Sequence, residues 1–112
     1  MIEDMDKFDK RINAFMSACQ EIVSGFGEDL LSYRRRHKYT RIIRHTSFDG
    51  KYFKNEELYC LIEIETGNIY RPNSISKPDT KRIRGNIWNK GMDVKEMRWY
   101  GPRLYRNVGV EG

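Results

Sequence analysis

Between residues 4 and 24 the apolar side chains recur at steps of three and four: Met5, Phe8, Ile12, Phe15 or Met16, Cys19, and Ile22 or Val23. Asp6, Asp9, Lys10, Arg11 and Gln20 occupy positions between them. That period places the apolar groups on one face of a helix and the polar groups on the other. Early acids suit a helix N-terminus, and Gly25 and Gly27 are natural stop signals. The spacing predicts one amphipathic helix lying on another element. A short second helix is expected over Asp29–Arg36, around Leu30-Leu31-Ser32-Tyr33.

The period then changes. Tyr39-Thr40-Arg41-Ile42-Ile43-Arg44-His45 is rich in β-formers, and Asp49-Gly50 is a strong turn signal. From Glu57 to Glu65 the chain alternates, with Leu58, Cys60, Ile62 and Ile64 facing one way and Tyr59, Leu61, Glu63 and Glu65 the other. Thr66-Gly67-Asn68 turns the chain into Ile69-Tyr70-Arg71. The simplest arrangement is a three-strand antiparallel meander with the helix on its apolar face. Beyond Pro72 the pattern dissolves into loop chemistry, because each proline disfavours helix at the residue before it. A short helix is expected over Arg82–Asn89, and a strand plus a turn over Met97–Tyr105. The expected fold class is therefore α+β, an N-terminal amphipathic helix on a small antiparallel β-meander with an irregular basic C-terminal segment. A single domain over 1–112 divides into a helical region (1–33), the meander (38–71) and a loop-rich basic region (72–112).

Composition narrows the class. At 112 residues, with 38% apolar residues, seven Tyr, five Phe and two Trp, the chain can bury one modest core. No apolar run is long enough to cross a membrane, and the first six residues are acidic where a signal peptide would be basic. Cys19 and Cys60 fall within the helical and strand patterns and read as small buried hydrophobes of a reducing compartment. The expected location is the cytoplasm, with no membrane partner.

Charge changes the picture more. The net charge of +5 conceals strong segregation. Residues 34–46 hold six basic side chains and no acid, and residues 71–112 hold ten basic and four acidic. The remaining segments, 1–33 and 47–70, are net acidic. Arginine dominates both basic blocks, and its planar fork matches phosphate oxygens. Tyr33, Tyr39, Tyr70, Trp88, Trp99, Tyr100 and Tyr105 are interleaved with them. Cations that hold a phosphate backbone beside aromatic faces that stack on unpaired bases are the physics of single-strand binding.

Catalytic patterns are weak. His37 and His45 have no spacing that suggests zinc, and Gly25-Phe26-Gly27 lacks the rest of a dinucleotide fingerprint. Glu63 and Glu65 alternate on one strand face, an ordinary feature of an exposed strand, so a metal-dependent nuclease with Asp79 is a poor reading. Gly85, between Arg84 and Asn86, suits either a close approach to an anion or a plain turn. No catalytic residue, metal or cofactor is expected.

Thr66-Gly67-Asn68-Ile69-Tyr70-Arg71, Lys77-Pro78, Arg84-Gly85-Asn86-Ile87 and Trp99-Tyr100-Gly101-Pro102 follow one another along the chain as a spaced pattern. Through it the segment from Tyr39 to Tyr105 resembles a group of small uncharacterised proteins encoded by bacteriophages. Arg71 meets the group's basic residue after Ile-Tyr, whereas Asn73-Ser74-Ile75 stands where the group usually has an aromatic. The resemblance implies a viral origin and assigns no functional residue.

Together these features predict a nucleic-acid-binding protein that prefers single-stranded DNA or RNA. Arg34, Arg35, Arg36, Lys38, Arg41 and Arg44 would form one phosphate track. Lys81, Arg82, Arg84, Arg98 and Arg103 would form a second, with Trp99 and Tyr100 as stacking platforms. Two other readings stay open: a phage protein that binds and disables a host protein, and a self-assembling or virion-associated protein whose helical stripe packs on a second copy as a homo-oligomer.

Overall fold

The computed structural model describes residues 2–25, 28–73 and 77–103. One long helix, α1 (Ile2–Ser24), is followed by strands β1 (Leu30–Arg35), β2 (Tyr39–Phe48), β3 (Phe53–Glu63), β4 (Asn68–Tyr70) and β5 (Gly85–Asn86). These five strands form one antiparallel sheet in chain order, so the fold is α+β. A 3-10 segment (Lys90–Glu96) leads into a small hairpin of β6 (Met97–Arg98) and β7 (Gly101–Pro102).

The helix forms where the period predicts and ends one residue before Gly25. Phe8, Ile12, Phe15, Cys19 and Val23 are buried along its stripe against Leu31, Ile42, Cys60, Ile62 and Ile69 of the sheet. Burial of each such apolar side chain is worth about 1.5–3 kcal/mol before ordering costs, so this one contact layer dominates the energetics. Polar clamps fix its position. Asp9 takes a forked bond from Arg35, and Gln20 accepts from the Leu31 N–H and donates to the Asp29 carbonyl. Arg11 donates to the carbonyls of Ile87 and Asn89.

Leu30–Arg35 is a strand, where a short helix was expected. Six residues with apolar Leu31 and Tyr33 on one side satisfy their backbone groups better on the free edge of β2 than as an isolated helical turn. The expected helix over Arg82–Asn89 is likewise absent, and the chain there is extended into β5 beside β4. The expected strand and turn near the end is the β6–β7 hairpin, with Trp99-Tyr100 as its turn; Leu104, Tyr105 and Gly27 lie outside the described residues.

The strict alternation expected in β3 breaks at a bulge. Ile42 pairs with Cys60 but Ile43 pairs with Leu58, which leaves Tyr59 as an extra residue. Tyr59 and Cys60 both enter the core below α1. The Tyr59 hydroxyl donates to the Arg98 carbonyl (2.6 Å), which ties the β6–β7 hairpin to the sheet.

The glycine motifs are sites of close packing. The Trp88 indole lies against Gly67, where an added Cβ would sit 2.4 Å from the indole Cδ1. Gly101 has φ +118° and lies so close to β3 that a Cβ would sit 2.3 Å from the Tyr59 carbonyl oxygen. Asn86 donates to the Thr66 carbonyl and to Asn68, and its side-chain oxygen accepts from the Trp88 N–H.

Burial pushes the Cys19 thiol up to about 12 and raises Cys60 in the same sense. Both thiols therefore stay protonated and inert in the fold. Native protein should release no signal with a thiol reagent at mildly alkaline pH, and both cysteines should react after unfolding in urea. The unfolded thiols ionise first as pH rises, so stability is intact below the ordinary thiol range and falls above it. Gly101→Ala should cost about 3 kcal/mol in urea unfolding, from left-handed strain plus the clash with β3. Gly50→Ala, at φ +97° but with nothing within 4 Å, should cost about 1 kcal/mol.

Candidate nucleic-acid interface

Residues directly opposite in an antiparallel pair share a face of the sheet. The register therefore sorts every cation of β1 and β2. The inner face, under α1, carries Leu31 opposite Arg44, Tyr33 opposite Ile42 and Arg35 opposite Thr40. The outer face carries Leu30 opposite His45, Ser32 opposite Ile43 and Arg34 opposite Arg41. Tyr39 opposite Glu63, and Leu61 opposite both Arg41 and Tyr70, extend the outer face across β3 and β4.

On this outer face two guanidiniums stand in register. Like charges directly opposite destabilise a sheet unless something neutralises them. Arg34 reaches across β2 to Glu56 of β3 (2.9 Å), which relieves one of the two. Arg41 has no hydrogen-bond or ion-pair partner among the described residues. The acids of the face are already engaged: Glu56 by Arg34 and, at 3.8 Å, by His45, and Glu63 by the Thr66 hydroxyl. His45 also shares a 2.7 Å hydrogen bond with Ser32.

The β1–β2 turn adds two more cations at the rim. The Arg36 N–H donates to the Tyr39 carbonyl (2.9 Å), which closes the turn and leaves the Arg36, His37 and Lys38 side chains exposed. The Lys38 ammonium lies 5.6 Å from the centre of the Tyr39 ring, and Tyr39 meets Tyr70 edge-on at 6.3 Å. Arg34, Arg36, Lys38 and Arg41 thus all lie on the two strands and the turn that carry the partly exposed Tyr39.

Two members of the first track point elsewhere. Arg35 is on the inner face and held by Asp9 at 2.5 Å. Arg44 is only 8% exposed, pairs with Asp29 (2.6 Å) and Glu57, and lies 5.2 Å from the Trp99 ring centre. Desolvated and held by two carboxylates, Arg44 is a structural cation that joins β2 to the helix–β1 connection.

The second set does not assemble into a track. Lys81 and Arg82 are exposed just before β5, at the edge of the sheet opposite β1, about 19 Å away by strand spacing. Arg84 donates to the Arg103 carbonyl, and Arg103 meets Glu96 at 3.5 Å. Arg98 folds back on the carbonyls of Lys95 and Met97. Trp99 and Tyr100 sit edge-to-face (5.2 Å) at the β6–β7 turn, on the helix side of the sheet, with Arg44 over the Trp99 ring. The two basic blocks therefore do not line a single groove. Sequence reasoning passed over Phe48 and Tyr52, exposed on either side of the Asp49-Gly50 turn, although two aromatics flanking a turn signal were visible in the chain.

Among the described residues no three His, Cys, Asp or Glu side chains cluster as metal ligands, and no helix is long and apolar enough to cross a membrane. No family model matches the chain, and no curated protein or solved structure matches it.

The different standing of Arg41 and Arg44 is measurable. Arg44→Met should cost about 3 kcal/mol in urea unfolding, because Asp29 is left without its partner in a buried position. Arg41→Met should change stability by less than about 0.5 kcal/mol, because it relieves a like-charge pair and breaks no ion pair.

Proposed function

We propose that the chain binds single-stranded nucleic acid, DNA or RNA, on the outer face of β1 and β2, and that it is a binder and not an enzyme. The observation that carries this reading is the in-register Arg34–Arg41 pair, whose second member lacks a carboxylate. A phosphate placed between the two guanidiniums would remove their repulsion and satisfy both forks. Arg36 and Lys38 at the rim extend the positive strip, and Tyr39 offers a ring beside it.

Single strands fit this surface better than a duplex. The only α-helix among the described residues buries one face, and its exposed positions mix Asp6, Lys7, Lys10, Asn13 and Glu21. Such a helix makes a poor reader of the major groove. A strand face with cations beside a partly exposed aromatic suits an extended backbone. On the motif resemblance, the setting would be the cytoplasm of a phage-infected cell.

Fluorescence anisotropy of labelled single-stranded DNA, single-stranded RNA and duplex DNA tests this. With four phosphate contacts the logarithm of affinity for a single strand should fall with log salt at a slope of about −3. Arg41→Gln and Lys38→Gln should each flatten that slope by about one contact and weaken binding without sequence preference. Arg44→Lys, which keeps charge at a buried site, should leave the slope unchanged. Binding that does not vary with salt, or absence of binding to all three probes at low salt, would overturn the proposal.

A further inference from the structure

The longest hairpin of the sheet runs past its neighbours. β1 pairs with β2 only as far as His45, and β4 pairs with β3 only at Leu61 and Ile62. Residues 46–55 therefore project as a two-stranded ribbon with neither edge covered by another strand of the sheet. A bare ribbon of this kind is ordinarily blunted with charge. This one carries Phe48, Tyr52 and Phe53 at its tip.

The aromatics are not needed to close the turn. The Asp49 carboxylate accepts from the N–H groups of Tyr52 and Lys51, which hold its carboxyl below the ordinary range, and Gly50 supplies the left-handed φ. Phe53 and Phe48 stack at 4.8 Å, and Phe53 reaches the His45 ring at 5.9 Å. Tyr52 has no such role and is 64% exposed, and Phe48 is 40% exposed. Ser47, immediately before Phe48, holds a φ of +60°, a conformation that serine seldom adopts. Two lysines flank the rings, Lys51 at 5.4 Å from the Tyr52 ring centre and Lys54 beside Asp49. Through His45 the tip is continuous with the outer face that carries Arg34 and Arg41.

We infer that the tip of the β2–β3 ribbon is the base-stacking part of the interface, with Tyr52 and Phe48 taking unpaired nucleobases while Lys51 and Lys54 attend the adjacent phosphates. This inference rests on the proposed nucleic-acid function and relocates its stacking platform from Trp99 and Tyr100 to the β2–β3 turn. Charge complementarity selects the occupant. Rings interleaved with lysines suit a stacked, negatively charged strand, whereas an apolar protein partner requires a wider uncharged patch. From Lys38 to the tip, β2 offers about 30 Å of surface, enough for several extended nucleotides.

Tyr52→Ser and Phe48→Ala would be titrated with an oligo-dT, an oligo-rU and inorganic polyphosphate, a polyanion without bases. Circular dichroism and urea unfolding would accompany each variant, and Tyr52→Ser, which removes no packed group, guards against loss of the hairpin in Phe48→Ala. Each substitution should weaken both oligonucleotides by about ten- to a hundredfold, leave polyphosphate binding within about twofold, and keep the wild-type salt slope. Unchanged oligonucleotide affinity in Tyr52→Ser would overturn the inference and leave the phosphate-binding proposal standing. Equal loss of all three ligands would also overturn it, because the tip would then act through charge or structure alone. Light scattering that shows the wild type self-associating through the tip, with oligonucleotide affinity unaffected by Tyr52→Ser, would assign the ribbon to a second copy of the chain. Wild-type protein that binds none of the three would overturn the proposed function on which the inference rests.

Discussion

The contact of α1 with one face of the sheet is a choice between two surfaces, and much else in this chain depends on it. The stripe from Phe8 to Val23 covers Ile42, Cys60, Ile62 and Ile69, and so defines an inside. A cation buried on that side must find an acid or leave an unpaired charge in low dielectric. Arg44 finds Asp29 and Glu57, and Arg35, at the exposed margin of that side, pairs with Asp9. A cation on the other side is free of that demand. Strand parity therefore divides a run of near-identical arginines into structural and available members.

The same parity decides what the aromatic residues can do. Tyr33 and Tyr59 lie on the helix side, and Tyr59 turns its hydroxyl to the β6–β7 hairpin. Tyr39 and Tyr70 lie on the outer face, where they meet edge-on. Trp88 packs on Gly67 with the Arg11 guanidinium 5.9 Å from its ring, and Trp99 shares its surroundings with Arg44. Both tryptophans act as covers over polar joints in the fold, although each keeps an exposed edge.

The local signals in the sequence carried much of this architecture. Three- and four-residue steps located α1, and Asp49-Gly50 located the β2–β3 turn because both features depend on neighbours within a few residues. What escaped depended on distant partners. Leu30–Arg35 has no strong preference of its own and becomes a strand because β2 presents an open edge. The bulge at Tyr59 cannot be read from alternation in β3, and the partner of its hydroxyl is a carbonyl at Arg98, far along the chain. Charge segregation was legible and correctly singled out residues 34–46 as the acid-free stretch. The fate of each arginine was not, since a one-residue step in a strand exchanges one face of the sheet for the other. The motif glycines were visible too, but their meaning as packing sites appears only once Trp88 and Tyr59 are in place.

The bond between the Tyr59 hydroxyl and the Arg98 carbonyl closes a loop of 39 residues. The β2–β3 hairpin closes through local contacts, whereas docking of β6–β7 carries the closure entropy of that larger loop. The same hairpin carries Trp99 to Arg44, whose two carboxylates come from Asp29 and Glu57. The β6–β7 hairpin thus acts as a latch, held on the sheet by the Tyr59 hydroxyl and by the close approach of Gly101 to β3.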